Sequence, residues 1–391
     1  MKIVFLNLMF MGNMLDSAME DSKTPVQMAT HVFQTNLLNG LKNIPDVVVN
    51  QICVPPIGSY PFHYKRLVIG KKEYMDGVQV GYINLPYLKQ WMQMRKIYKR
   101  ILFLLNHNQC DCLLVYSLFP PFLEVAWRIK RLFPKCEICL IQTDAVPGYN
   151  DAPKYMTKHN IRKGKWLIKK AECCDNFVLL TKYLIDPLEV KNRSYTIVEC
   201  ICDSMQPKCD VNNSSRNICL YTGVLDKIYN IVNLVKAFEK MPNAQLWLCG
   251  DGDAVGEIQT ICARCSNIKY FGYVNQIQLQ VYRNQCDFLI NPRVPEGTYT
   301  LYSFPSKTAE YMMSGKPTIM YKLEGIPDEY DEYLNYLTGR NTEKMIEELE
   351  QIFEIDYSLM VAKAQRARKF MLDNKTEKKQ AEKIVDMLRM D

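Results

Sequence analysis

At 391 residues the chain is longer than one hydrophobic core usually organises, so two domains are expected. Its composition, 48% apolar and 23% charged, excludes a disordered or low-complexity chain, and no apolar run approaches the roughly 18 residues needed to cross a membrane. The net charge of +7 is unevenly placed: residues 1–210 hold 27 Lys and Arg against 18 Asp and Glu, residues 211–391 hold 22 against 24, so the first half is the one suited to an anionic surface.

The chain opens MKIVFLNLMFMGNML, a basic residue followed by an apolar run. Asn7 interrupts that run and no small-x-small site follows, so it reads as a first buried strand rather than a leader peptide. Beyond it, short apolar runs alternate with longer amphipathic ones. Strands are expected at Ile3–Leu8, Val47–Cys53, Cys112–Tyr116 and Glu137–Gln142, and helices at Val26–Leu41, Trp91–Asn106 and Leu123–Phe133. That rhythm belongs to a mostly parallel sheet with helices on both faces.

Fifteen cysteines are scattered through the length, many of them inside apolar runs such as those of Cys139 and Cys249. They read as reduced, buried thiols of a cytoplasmic protein. The pairs Cys136/Cys139 and Cys262/Cys265 lack the spacing of a zinc ribbon. Cys110 and Cys112 could in principle complete a four-thiolate set with the first pair, but a small apolar residue suffices at these strand boundaries, and no metal site is expected.

Asp203–Ser215, polar and without periodicity, reads as a linker. A second series follows, with strands at Ile218–Tyr221, Ala244–Cys249, Ile268–Phe271, Phe288–Ile290 and Thr318–Tyr321. Helices are expected at Asn230–Phe238, Ala254–Cys265, Gln276–Tyr282 and Pro305–Met313, and residues 342–390 are helical by pattern. The fold class is therefore α/β, two tandem Rossmann-like doubly wound domains facing a cleft, with ligands at the carboxyl ends of the strands.

The stretch FLINPRVPEGTYTLYSFPSKTAEYMMSGKP, residues 288–317, carries the most chemistry. Its apolar strand is stopped by Pro292, Pro295 and Gly297, and a helix begins near Pro305, where Ser303 or Ser306 is the expected cap. Unpaired amides at that start, with Lys307 in the turn and Arg293 across the loop, suit a phosphate or diphosphate. Glu310, one turn further in, is acceptor-only and so suits the paired hydroxyls of a ribose. Three strand ends carry glycine upstream: Gly223 in YTG, Gly250 in CGDG and Gly272 in FGY.

These motifs, in this order, resemble the donor side of retaining GT-B glycosyltransferases of family 4, with SFPSKxxEY standing for the family's E-x7-E motif. The resemblance is specific over about residues 215–320 and looser over the first 200. It implies that Glu310 binds the ribose of a nucleotide sugar, that Gly223 lies near the diphosphate, that Gly250 lines the cleft and that Tyr273 and Val274 meet the base. The segment Tyr302, Ser303, Phe304 and Ser306 would complete the donor pocket. Tyr302 occupies the place of the family's first glutamate, and Glu296 is a possible substitute. Val224 and Tyr229 stand where the family places an arginine and a lysine, which leaves Arg293, Lys307 and Lys227 to supply positive charge to the leaving diphosphate.

In the first half, Gln27 and His31 fall on one helix face, which the resemblance places beside the acceptor and the transferred sugar. Asp144, in TDAVP at a strand end, resembles acceptor-side segments of bacterial polysaccharide transferases in the family, and Glu199 in VEC stands in the family's V-E-G segment. Two basic segments, Arg95–Arg100 and Arg162–Lys170, mix cations with aromatic and aliphatic residues in the manner of a surface that lies on an anionic bilayer. No recognised nucleic-acid motif accompanies them.

The expected organisation is residues 1–205 as an acceptor-binding domain, 216–370 as a nucleotide-sugar domain, and 371–391 as a last helix that, by the resemblance, packs back on the first. The expected function is metal-independent, retaining sugar transfer in surface polysaccharide biosynthesis, by a cytoplasmic protein that could sit on the inner membrane face. The donor is a UDP- or GDP-sugar, used as substrate with no cofactor, and the acceptor a saccharide or lipid-linked saccharide. The alternatives are a non-catalytic nucleotide-sugar-binding subunit and a sugar-nucleotide epimerase of the same architecture.

Overall fold

The computed structural model describes residues 1–149, 156–211 and 217–390. The chain forms two compact units: Met1–Ile201 with Gly297–Ser303 and Thr376–Asp391, and Cys202–Glu296 with Phe304–Lys375.

The first unit is built on strands β1 (Lys2–Asn7), β2 (Val48–Cys53), β3 (Val68–Ile69), β4 (Lys72–Tyr74), β5 (Gly77–Gln79), β6 (Tyr82–Ile83), β7 (Cys112–Tyr116), β8 (Glu137–Gln142), β9 (Asn176–Leu179) and β10 (Ser194–Ile197). Eight of them make one sheet in the order β10-β9-β8-β7-β1-β2-β5-β4, parallel except for β4, and β3 pairs with β6 in a small antiparallel ribbon. The opening run is the interior strand β1, between β2 and β7, which is why it reads as nearly continuous apolar sequence.

Helices α1 (Met14–Asp21), α2 (Met28–Lys42), α3 (Leu88–Asn106), α4 (Pro120–Leu132) and α5 (Lys158–Ala171) belong to this unit, as does the last helix, α12 (Glu377–Met390). α4 begins at paired prolines, tolerated where the amide is unneeded, and buries Phe122, Val125, Ala126 and Ile129 at helical spacing. α12 lies on α2, with Ala381, Ile384, Val385 and Leu388 in one core with Leu37, Leu38 and Leu41. Gly40 makes this possible, because a Cβ there would run into the Glu377 carbonyl.

The second unit has six parallel strands, β11 (Ile218–Thr222), β12 (Gln245–Cys249), β13 (Ile268–Tyr270), β14 (Phe288–Asn291), β15 (Thr318–Tyr321) and β16 (Asn335–Leu337), in the order β13-β12-β11-β14-β15-β16. This is the 3-2-1-4-5-6 arrangement of a doubly wound fold, with β11 and β14 flanking the point where the strand order reverses. Its helices are α6 (Ile231–Glu239), α7 (Val255–Cys262), α8 (Gln276–Gln285), α9 (Ser306–Ser314), α10 (Thr342–Glu354) and α11 (Tyr357–Asn374).

The expected strands and helices occur within a few residues of their predicted ends. α1, α5, the short strands β3 to β6, and β9, β10 and β16 were not singled out by pattern, being too short or too mixed in composition to show a period. The helical tail is made of three helices, α10, α11 and α12, and Asp356 caps α11 by accepting from the Ser358 amide at 2.8 Å. Set against the expected boundaries, the division falls between Ile201 and Cys202, the second unit continues to Lys375, and Gly297–Ser303 groups with the first unit. Residues 203–211 of the expected linker belong to the second unit, where the Cys209 amide bonds the Ser314 carbonyl at 2.8 Å, and residues 212–215 lie outside the described residues.

Candidate functional site

β11 ends at Thr222, and the chain leaves it through Gly223 at φ +130°, a conformation that side-chain-bearing residues rarely adopt. Two backbone bonds lace this turn to its neighbour: Gly223 donates to the Cys249 carbonyl and Leu225 to the Asp251 carbonyl, at 2.8 and 2.9 Å. Gly250, at φ +143°, presses its Cα side against the Gly223 carbonyl and donates to Gly272 at 2.8 Å. Any side chain on Gly250 would separate the two turns.

α9 begins after β14, on the other side of the switch point, and is tied to β11 by Tyr311. The Thr222 amide donates to the Tyr311 hydroxyl at 3.1 Å, and the Thr222 hydroxyl lies 3.2 Å from the same oxygen. That fixes the helix start against the Gly223 turn. Lys307, four residues before Tyr311 and so on the same side of the helix, lays its Cε and Nζ across Gly223 where a Cβ would otherwise stand, with the ammonium 5.8 Å from the Tyr221 ring centre. The ammonium end is the enclosed part of a half-buried residue. Desolvation lowers its pKa, Glu310 opposes the shift, and Arg293 adds to it.

Arg293, after β14, places its guanidinium 5.4 Å from the ring centre of Tyr229. The tyrosine that replaces an expected cation is therefore a platform for another. Arg293 is near enough to act electrostatically on Lys307, which itself lies against the Gly223 turn.

Glu310 forms an ion pair with Arg283 of α8, a side chain only 7% exposed against 36% for the glutamate. Arg283 Nε is buried without a hydrogen-bond partner. Burying an arginine costs several kcal/mol unless a carboxylate meets it, so Glu310 serves packing as well as any ligand. One carboxylate oxygen is engaged by Arg283, and the other is left to accept hydroxyl bonds.

The expected serine cap is corrected. The N-cap of α9 is Pro305 at φ −64°, with no side-chain bond; its carbonyl takes the Thr308 amide at 2.9 Å, and Ser306 is the first, exposed helical residue. Proline supplies the turn by its fixed φ, so no hydroxyl is needed. Lys227 is also placed differently from the expectation, in an ion pair with Glu257 of α7 at 3.4 Å beside Lys236. Phe304 is buried, with its ring 5.2 Å from that of Tyr330, and belongs to the packing. Tyr273 is exposed after β13, Val274 packs with the core under Trp247, and Glu296 is exposed.

Tyr302 and Ser303 group with the first unit. In that unit, Gln27 is the exposed residue at the start of α2. His31 accepts from the Phe10 amide through Nδ1 at 3.4 Å, packs edge-on against the Phe10 ring, and has its pKa lowered by burial, which favours the neutral Nε2–H form. Asp144 follows β8 with its carboxyl pKa raised by desolvation. Glu199 is buried.

Sequence reasoning did not find Arg283, Thr222 or Tyr311. Arg283 sits one turn after Leu279 on the buried side of an otherwise polar helix, and nothing in the sequence distinguishes it from a solvated arginine. The cysteines are free thiols, and no group of three or more His, Cys, Asp or Glu among the described residues is arranged to hold a metal ion.

Comparison with known proteins bears on the same segment. Residues 216–354 match the family described as glycosyl transferases group 1, and no curated protein matches the chain in sequence. Among solved structures, sucrose-phosphate synthase from Thermosynechococcus elongatus is similar over 99% of this chain and 98% of its own, at TM-score 0.67 and 13% identity. HepE of Anabaena, solved with UDP and glucose, is similar over 100% and 99%, at 0.64 and 13%. A trehalose-phosphate synthase from Burkholderia xenovorans, solved with glucose-6-phosphate, is similar over 99% of each chain, at 0.60 and 11%. The chain thus has the GT-B glycosyltransferase fold over its whole length and a glycosyl transferases group 1 sequence over residues 216–354.

Proposed function

We propose that the protein is a glycosyltransferase that takes a sugar from a nucleotide-diphosphate sugar and passes it, with retention, to a saccharide or lipid-linked saccharide in surface polysaccharide biosynthesis. The observation that carries this reading is the placement of Lys307 against Gly223 at the switch point of a 3-2-1-4-5-6 sheet, with Arg293 joining it from the next strand.

In this reading the diphosphate lies at the start of α9. Lys307 and Arg293 meet the negative charge that grows on it as the glycosidic bond breaks. The chemistry needs no protein nucleophile if the acceptor attacks on the face the diphosphate leaves, and the reading uses no metal ion. The free oxygen of Glu310 takes the ribose hydroxyls, and Arg283 fixes its rotamer. UDP is the first nucleotide to test, because HepE was solved with it. The first unit is read as the acceptor-binding part, with neutral His31 as a hydrogen-bonding group.

A second reading, donor binding without turnover, draws on Tyr302, a phenol where the family has its first glutamate. Calorimetry with UDP and GDP, with EDTA and then with Mg²⁺, followed by assay of UDP release from UDP-sugars with saccharide acceptors, separates the two. Metal-independent binding with turnover supports transfer. Binding without turnover across a sugar and acceptor panel favours the second reading, and absence of nucleotide binding sinks both.

A further inference from the structure

The two basic segments noticed in sequence are not separate solvated faces. α3, α4 and α5 pack side by side, α3 against α4 and α4 against α5. They follow consecutive crossovers of the same sheet, into β7, β8 and β9. Together the three helices carry fourteen Lys and Arg and a single carboxylate, Glu124, which is engaged by Arg128 and Lys170, each at 2.9 Å. A chain of net charge +7 therefore concentrates more than its whole excess on one layer.

Aromatic and apolar residues are set among these cations. Trp91, Arg95, Lys99 and Phe103 recur every four residues along α3, all exposed, with the Arg95 guanidinium 5.5 Å from the Trp91 ring centre. On α5, Arg162, Trp166 and Lys169, spaced four and three apart, are exposed in the same way. Trp127 of α4 lies under Lys170, 3.5 Å from its ring centre, and Arg131, at 4.6 Å. Beside the first turn of α3, Leu85, Tyr87 and Leu88 are exposed, as are Leu67 and Val68 where β3 pairs with β6, which packs on α3.

We infer that the outward face of α3, α4 and α5 is a docking surface for an anionic lipid bilayer. Cations would sit at the headgroups while tryptophan and the apolar residues at the α3 end enter the boundary with the acyl chains. Leu85, Leu88 and Val68 decide for a bilayer over a nucleic acid, since exposed aliphatic side chains gain nothing from phosphates and do not stack on bases. The inference deepens the acceptor side of the reading above and rests on it only for what is brought to the surface, a lipid-linked saccharide.

The test is co-sedimentation of the full chain with vesicles of phosphatidylglycerol and phosphatidylcholine, and with phosphatidylcholine alone, with UDP affinity measured in parallel. Binding to the anionic vesicles, weakened by salt, is expected. The combined variant Arg95→Glu, Lys99→Glu, Arg162→Glu, Lys165→Glu is expected to lose at least roughly tenfold in partition, while Lys208→Glu, Lys269→Glu, Lys378→Glu, Lys379→Glu, an equal change of charge elsewhere, stays within about twofold. Trp91→Ser with Trp166→Ser, a milder change, should lower partition and remove most of the blue shift in tryptophan fluorescence on binding. UDP affinity should be unchanged in all of these.

Equal losses in the two charge variants would overturn the inference. So would failure to bind anionic vesicles, including the case where an RNA of mixed sequence binds instead and is lost in the α3/α5 variant. If UDP fails to bind while vesicles still do, the nucleotide-sugar reading falls and the bilayer surface stands.

Discussion

Lys307 occupies the space a side chain on Gly223 would need, so the cation and the glycine form one device. The glycine lets the strand turn at a positive φ and at the same time lets the ammonium lie flat against the backbone. This relationship joins residues 84 positions apart.

Gly223→Ala is expected to displace the Lys307 ammonium and to place alanine at φ +130°, costing about 1–3 kcal/mol in stability and at least roughly tenfold in UDP affinity. Calorimetry alongside a urea melt checks this. Affinity loss without a stability change would show that the lysine moves freely, and an unchanged affinity would remove Gly223 from the site.

Glu310→Gln should weaken nucleotide binding, and the structure adds a stability cost, because the buried Arg283 loses its counter-charge. Glu310 is partly exposed, which discounts the penalty for an unpaired arginine to about 1–3 kcal/mol. The double variant Arg283→Met, Glu310→Gln should recover part of the stability but not the affinity. Recovery of both would mean that Glu310 serves only the ion pair.

Lys307 has its pKa lowered from 10.5 by desolvation, so in the alkaline range between its lowered pKa and 10.5 the folded chain binds fewer protons than the unfolded one, and stability rises with pH there. A bound diphosphate reverses the shift by favouring the ammonium. Nucleotide binding should take up a proton at alkaline pH, and affinity should fall as pH rises through the lowered pKa. Calorimetry in buffers of different ionisation enthalpy measures that uptake, and Lys307→Arg should abolish it.

Gly40→Val should lift α12 from α2, because the new side chain meets the Glu377 backbone. With Leu37, Leu38, Leu41 and Ile384 partly uncovered, a loss of about 2–5 kcal/mol is expected. Hydrogen exchange along α12 reports it directly, and native protection of α12 in the variant would disprove the packing argument.

The sequence by itself determined the α/β class, the strand runs and most helices, because strands buried on both faces must be apolar and amphipathic helices must repeat at their own period. It also singled out Arg293, Lys307 and Glu310 as candidates, and the glycines, of which Gly223, Gly250 and Gly272 take a positive φ that restricts residue type. Tertiary structure alone decided which cations converge. Lys227 goes to Glu257 while Arg293 goes to Tyr229, a choice made by distances across strands that no local pattern encodes. It also decided that Glu310 answers a buried arginine, and that three helices separated in sequence by strands and loops place their charges on one layer. Periodicity reports which side of an element is buried; what lies opposite that side is set by strand order, and strand order is fixed only when the whole sheet has formed.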